Sequence, residues 1–390
     1  MQTKIAIIRP DGTPIVKGFY NSQEIGLARG LSRLGIDVDV YVAGADTNVC
    51  TTDIETTGAG KVRLFETPFF KVPEIDHAIY PKLIPLLEQG QYDLIQVNEE
   101  AELNNLRVAR FAKRAGIPLI VYQGMYKPIS GRIRAAFQKL FDFFLLPYLR
   151  KNIKLGVTKT SRAEAYLRTK GFKNTIVLPV GLDVQPFENP GPQRNWREEL
   201  AIPAEHSIIL YVGIFENRRN IHFILDIAKH LSDGKYTFVL AGDGPIFGEI
   251  QARVRDENIE NVKLIGKVKQ TELPGLYSDA SLFLLASNYE IYGMVVLEAM
   301  YFGTPVCSTK TAGPEDIIET GVDGLLFDEL NPKVWSLEID RVASNSIALN
   351  EMSLKAKNKV GANLTWNAVA VQYKEEVVDQ LVDESRKVKA

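Results

Sequence analysis

Cysteine and histidine are scarce in this chain, with two Cys and four His among 390 residues. Cys50 and Cys307 are far apart and make neither a disulfide framework nor a metal-ligand spacing, which fits a reducing cytosol. His77, His206, His222 and His230 have no ligand spacing either, so no metal site is expected. There is no run of about 18 uninterrupted apolar residues, the length a membrane-spanning helix needs. The opening MQTKIAIIRP enters a strand pattern directly, without the apolar region of a signal peptide. A cytoplasmic protein is expected. An excess of charge of one sign is lacking too: 46 Lys and Arg face 48 Asp and Glu, a formal net charge of -2. That gives no electrostatic footing for nucleic-acid binding as the main task.

What is present is alternation. Strand-like apolar runs occur at Lys4–Ile8, Val38–Val42, Leu94–Val97, Pro118–Tyr122, Leu155–Thr158 and Thr175–Pro179, with helix-length segments such as Asn21–Leu34 and Ala101–Ala115 between most of them. A second series follows at Ile208–Val212, Thr237–Ala241, Val262–Ile265, Leu282–Ala286, Thr304–Ser308 and Gly324–Phe327. Alternating strand and helix predicts an α/β protein with parallel sheets covered on both faces. The Pro-rich, polar stretch at 183–206 carries no strand signal and is the expected hinge. It separates a domain at 1–182 from one at 207–365. Doubly wound sheets take ligands outside the carboxyl ends of their strands, and two facing domains would do so in the cleft between them. A dinucleotide fingerprint is missing: RPDGTPIVKGF follows the first strand, and AGDGP at Ala241–Pro245 has no third glycine at the required spacing.

The stretch SNYEIYGMVVLEAMYFGTPV, Ser287–Val306, raises a specific question. Met294–Phe302 is apolar on every face except at Glu298, as an interior helix is. A buried carboxylate needs hydrogen-bond donors or a cation opposite it. Glu290 stands before the first turn of the same helix, where Gly293 allows close approach and the free N–H groups attract anions. An elongated ligand is implied, with a phosphate at the helix start and hydroxyl-bearing parts near Glu290 and Glu298. A nucleotide sugar has that shape. A buried Lys or Arg opposite Glu298 is the alternative.

The pattern E-I-Y-G-M-V-V-L-E-A-M-x-x-G-T-P-V resembles the E-x7-E signature of the family 4 retaining glycosyltransferases. LPVGLDVQPF at Leu178–Phe187 resembles their P-N-G-x-D segment, with Val180 in place of Asn, and YVGIFENRRN at Tyr211–Asn220 resembles Y-V-G-R-L-x-x-x-K-G. LAGDGP, VKLIGKV and the Thr365–Trp366 pair also match family positions. The resemblance implies the GT-B fold, two facing Rossmann-like domains with an interdomain cleft, and a final segment, 366–390, crossing back to the N-terminal domain. It implies a nucleotide-sugar co-substrate, most readily a UDP-sugar, and no metal or other cofactor. Glu290 is then expected at the donor-sugar hydroxyls and Glu298 at the ribose hydroxyls, with the amides of Gly293, Met294 and Val295 on the pyrophosphate or sugar. Arg219, with Arg218 close behind, takes the place of the pyrophosphate Lys. Ile214 stands where an Arg is usual, a loss that Lys17, Lys159 or Lys267 could offset. Gly213 lies in the same segment, Gly266, Lys267 and Val268 resemble the nucleobase loop, and Gly18 resembles the glycine under the pyrophosphate.

On the acceptor side Gln123, in VYQGMY, replaces the family's histidine. Gln is no general base, so it would contact substrate or cap a loop. Glu290, Arg219 and Gln123 form the expected catalytic set, and Glu99 and Glu100 are candidate ligands of acceptor hydroxyls or simply a charged helix start. Asp37-Val38-Asp39 is read as the opening of a strand, not a metal motif. The segment at 131–154 combines Phe and Leu with basic residues, as an amphipathic helix on an anionic bilayer does; an ordinary core helix is the preferred reading. The activity implied is transfer of a sugar to a hydroxyl acceptor (glycolipid, glycan, small aglycone or protein) in glycoconjugate, polysaccharide or glycoside synthesis. A GT-B phosphorylase or a non-catalytic nucleotide-sugar-binding subunit is the alternative.

Overall fold

The computed structural model describes residues 2–15, 22–54, 58–72, 75, 77–128, 131–188 and 194–389. The chain forms two compact units, Met1–Asp183 with Thr365–Ala390, and Val184–Leu364.

The first unit is built on an eight-stranded sheet. From edge to edge its strands are Thr175–Val177, Ile153–Thr158, Leu119–Gln123, Leu94–Asn98, Lys4–Ile8, Asp37–Ala43, Val62–Thr67 and Cys50–Ile54. All pairs are parallel except the last. The central strands are buried along their length, which is why they read as continuous apolar runs rather than alternating ones. The two strands at the far edge were not expected. Cys50–Ile54 is a polar, exposed edge strand, and Val62–Thr67 has its apolar residues interrupted by Arg63 and Glu66.

Helix Gln23–Arg33 carries Gly26 and Gly30 one turn apart, and against them lies helix Trp366–Tyr373. A Cβ on Gly26 would stand 2.0 Å from the Trp366 indole nitrogen, and one on Gly30 would stand 2.6 Å from the Trp366 carbonyl oxygen. The small residues are thus what admits the C-terminal segment. Tyr373 then reaches into the sheet, its hydroxyl donating to Gln96 Oε1 at 2.6 Å.

The second unit has six parallel strands in the order Val262–Gly266, Tyr236–Ala241, Ser207–Val212, Leu282–Leu285, Val306–Thr309 and Gly324–Phe327. Counted along this unit the order is 3-2-1-4-5-6, that of a doubly wound dinucleotide-type sheet. Its direction of winding reverses between Ser207–Val212 and Leu282–Leu285, so the crevice for a ligand opens at their carboxyl ends. One face of the core packs Phe223 and Phe327 on the buried Trp335. Part of the expected hinge is packed rather than solvated: Trp196 is buried with the Arg194 guanidinium 4.0 Å from its ring, and Phe187 lies on Phe302. Gly18 and Lys17 lie outside the described residues.

Candidate active site

Both sides of that reversal point carry candidate functional side chains. After strand Ser207–Val212 the chain passes Gly213, where a Cβ would come within 2.8 Å of the Tyr211 hydroxyl, and Ile214, which is 54% exposed. A short turn of helix, Asn217–Arg219, then ends at Asn220. Asn220 is left-handed, with φ of 53°, at the position where the resembling segment has glycine; Asn is the residue that most readily substitutes for Gly there. Its side-chain amide donates to the Ala286 carbonyl at 2.7 Å and to Asn288 Oδ1 at 2.8 Å. That ties the turn to the loop following strand Leu282–Leu285.

This clasp brings Arg219 onto Glu290. Arg219 Nη1 pairs with Glu290 Oε1 and also donates to Ser287 Oγ at 3.2 Å. Arg218 stands 3.7 Å from the same carboxylate oxygen, pairs with Glu216 at 2.7 Å, and donates to the Tyr289 carbonyl at 3.0 Å. Burial, and next the neighbouring Arg218 charge, lower the Arg219 guanidinium from its ordinary value, though an arginine stays protonated at neutral pH. Glu216, which sequence reasoning missed, shares its carboxylate between the two arginines. An acid two or three residues before a basic pair was the available signal.

Glu298 is buried at 3% exposure in helix Met294–Tyr301. The hydroxyl of Tyr277 donates to its Oε2 at 2.8 Å, and the Tyr277 ring stacks on Phe302. A neutral phenol, from the helix Leu273–Asp279, thus meets the carboxylate. No feature of the sequence marked Tyr277. The helix begins at Gly293, whose φ of 84° only glycine adopts without strain. The amides of Met294 and Val295 have no intrahelical carbonyl to bond, as at any helix start, while that of Val296 donates to the Gly293 carbonyl at 2.8 Å.

The other predicted donor residues follow the neighbouring strand ends. Gly242, at the end of Tyr236–Ala241, would clash with the Gly213 carbonyl if it had a Cβ, at 1.8 Å, and its N–H donates to the Gly266 carbonyl at 2.7 Å. Gly266 has φ of 67° and open space beside it; Lys267 beyond it is exposed and Val268 half-buried. The structure therefore brings Gly213, Arg218, Arg219, Glu290, Gly293 and Gly266 to one end of one sheet.

The acceptor candidates lie in the first unit, at the carboxyl ends of Leu94–Asn98 and Leu119–Gln123. Gln123 is fully buried, its Oε1 accepting from the Glu100 N–H at 3.0 Å and its Nε2 donating to the Met125 carbonyl at 3.1 Å. The oxygen and one N–H of the amide are engaged by backbone, so the side chain braces two loops, as the loop-capping alternative expects. Glu99 is left-handed at φ of 56°, an arrangement that functional loops favour for a non-glycine residue. Its carboxylate accepts from the N–H groups of Gly124 at 3.0 Å and Met125 at 3.2 Å. Burial raises the Glu99 pKa, against the pull of Lys159. Burial, and then the Glu99 charge, push Glu100 up to about 7. Glu99 and Lys159 line a cavity of about 420 Å³ with Arg9, Asp11, Glu24 and Asn98.

Asp39 of the Asp37-Val38-Asp39 run is a buried anchor holding Arg63, Lys4 and the Tyr92 hydroxyl. Among the described residues no group of three or more His, Cys, Asp or Glu is placed to hold a metal ion, and no helix is long and apolar enough to cross a membrane.

Comparison with known proteins agrees with this architecture. Residues 192–359 match the family model described as Glycosyl transferases group 1. An uncharacterized glycosyltransferase of Methanocaldococcus jannaschii is 28% identical over 381 residues, 94% of this chain and 96% of that protein. Several other curated relatives match over less, this chain spanning 37% to 49% of their length. Sucrose-phosphate synthase from Thermosynechococcus elongatus has the same fold at a TM-score of 0.74 and 21% identity, covering 98% of this chain and 100% of its own. Anabaena HepE, solved with UDP and glucose, does so at 0.68 and 18%, covering 97% and 100%. With its two parallel-sheet units and these likenesses the chain has the GT-B fold, and its residues 192–359 are similar to the group 1 glycosyl transferases.

Proposed function

We propose that the protein is a retaining, metal-independent glycosyltransferase that takes a sugar from a nucleotide diphosphate sugar, most readily a UDP-sugar, to a hydroxyl acceptor. The observation that carries this reading is the pair of buried carboxylates, Glu290 and Glu298, before and within one helix at the reversal point of the second sheet. Glu298 offers its carboxylate to the two ribose hydroxyls, with Tyr277 fixing its orientation. Glu290 takes the donor-sugar hydroxyls. The pyrophosphate lies on Arg218, Arg219 and the amides of Gly293, Met294 and Val295, where the helix start favours negative charge. Gly213 lets the phosphates approach, while Gly266, Lys267 and Val268 line the base. That UDP occupies HepE supports the choice of uridine.

In the transfer step the acceptor oxygen forms its bond to the anomeric carbon on the face from which the phosphate leaves. The leaving phosphate oxygen takes the acceptor proton, so atoms balance without a protein base. Preorganised cations at that oxygen then contribute roughly 100- to 1,000-fold each. Glu99 and Glu100 are the proposed ligands of acceptor hydroxyls, in glycoconjugate, polysaccharide or glycoside synthesis.

Calorimetric titration with UDP, GDP and ADP tests the reading. Selective UDP binding, weakened at least tenfold by Glu298→Ala, is expected. Failure of every nucleotide to bind would sink it. A non-catalytic binding subunit is the second reading, favoured by the exposed Ile214 in place of a phosphate-binding Arg; it predicts UDP binding without turnover.

A further inference from the structure

The helix Arg132–Phe144, expected to be an ordinary core helix, puts Phe141 in the core but also turns a second apolar face outward. Only Gln138 and Phe141 of its side chains are buried. Ile133, Leu140, Phe143 and Phe144 are 64%, 58%, 74% and 68% exposed, the most open cluster of large apolar side chains in the first unit. At 100° per residue, Ile133, Leu140 and Phe144 fall within about 40° of one another, and Phe143 lies beside them. Arg132 and Lys139 border this stripe on one flank and Arg134 on the other. Next in the chain is helix Leu146–Asn152, ending in the exposed cations Arg150 and Lys151.

A second observation sets the charge of the partner. Tyr148, one turn after Phe144, shares an open pocket of about 350 Å³ with Ile84, Arg107, Arg110, Lys113 and Arg114, and among the described residues no carboxylate lines it. Arg107 is fixed by the carbonyls of Tyr80 and Pro81 at 2.7 and 3.2 Å, and Lys113 Nζ stands 5.9 Å over the Tyr148 ring. Arg110, Lys113 and Arg114 are exposed. A protein partner of ordinary composition would be met by mixed charges. Here an exposed aromatic stripe is bordered by cations and followed by a pocket whose charged groups are all basic.

We propose that helices Leu103–Ala115, Arg132–Phe144 and Leu146–Asn152 together form a docking surface for an anionic lipid bilayer. Phe143, Phe144, Leu140 and Ile133 enter the boundary between headgroups and acyl chains, while Arg110, Lys113 and Arg114 hold lipid phosphates. Apolar insertion and cation attraction are both required, because either alone gives weak, reversible binding. The surface does not depend on the transferase reading.

Sedimentation of the full chain with phosphatidylcholine vesicles, with and without 30 mol% phosphatidylglycerol (roughly the anionic content that supports such binding), tests it. Binding to the anionic vesicles, weak binding to the neutral ones and release at high salt are expected. Each cation near such a surface contributes about fivefold to partitioning, so Arg110→Glu with Arg114→Glu should lower it at least tenfold. Phe143→Ser with Phe144→Ser should do the same. Thermal midpoints equal to the wild type would show that both double variants fold. Equal partitioning to neutral and anionic vesicles, no partitioning at low salt, or unaltered partitioning of the folded variants overturns the proposal. So does a wild-type dimer that the phenylalanine changes dissociate while vesicles remain unbound, which would assign the face to a second copy of the chain.

Discussion

The Arg219–Glu290 pair offers a test in which stability and function separate. The two side chains are 16% and 9% exposed, so replacing either partner leaves a mostly buried charge. Breaking a buried pair from one side costs about 3–5 kcal/mol. Arg218, 3.7 Å from Glu290, still neutralises part of that carboxylate, which places Arg219→Ala at about 2–3 kcal/mol by the same reasoning. Glu290→Ala leaves the two guanidinium groups facing each other and should cost about as much. The double variant removes both charges, so its loss should fall short of the sum of the single losses by about 2 kcal/mol. Urea unfolding followed by tryptophan fluorescence reads this, because Trp196 and Trp335 lie in the second unit. Transfer should not show this compensation: the double variant is more stable than additivity predicts but has no activity. Single losses that add to within about 0.5 kcal/mol would refute the coupling. Recovered transfer in the double variant would refute the functional assignment of both residues.

Two further outcomes follow from the first unit. Glu100 is raised from 4.5 to about 7, so the folded chain holds its proton where the unfolded chain has lost it; the associated stability is complete below pH 4.5 and disappears as pH rises through 7. The full difference corresponds to about 3 kcal/mol, and Glu100→Gln should therefore be increasingly more stable than the wild type from pH 5 to 8, whereas parallel urea-denaturation profiles would contradict it. Gly30→Ala, which in an open helix would stabilise by about 1 kcal/mol, should here destabilise by about 1–3 kcal/mol, since the new Cβ meets the Trp366 carbonyl at 2.6 Å; a raised thermal midpoint would contradict that.

The central sheets were legible because strands buried on both faces leave uninterrupted apolar runs, and nearly every such run is a parallel strand in the structure. The far edge of the first sheet was not, because an exposed edge strand such as Cys50-Thr51-Thr52-Asp53-Ile54 has no apolar period to show. Glu298 was legible for the opposite reason, a charge in an otherwise apolar helix. Its partner Tyr277 was not, since a tyrosine in an amphipathic segment looks like any core residue. Gln123 shows the limit most directly. Its position after the fourth strand of the series was visible, but only the geometry assigns its amide to the Glu100 N–H and the Met125 carbonyl. The outward face of Arg132–Phe144 was hidden by its composition, which suits a core as well as an interface; exposure decides between them.

On the proposed reading, the loss of an arginine at Ile214 is best understood through charge balance. Arg218 and Arg219 are the two cations of the turn, and each is already matched, Arg218 by Glu216 and Arg219 by Glu290. The turn is therefore nearly neutral as it stands, and a pyrophosphate gains its cations only by exchange. The two arginines differ in what that exchange costs. Arg218 is 41% exposed and Glu216 31%, and a pair of that exposure is worth about 1 kcal/mol or less, so Arg218 is readily given up to phosphate. Arg219 leaves a buried carboxylate behind unless a sugar hydroxyl reaches Glu290 at the same moment. The nucleotide alone would then recruit mainly Arg218, and the complete nucleotide sugar both. Coupling the second cation to occupancy of Glu290 would assemble the charge that stabilises the departing phosphate only when a sugar is there to transfer.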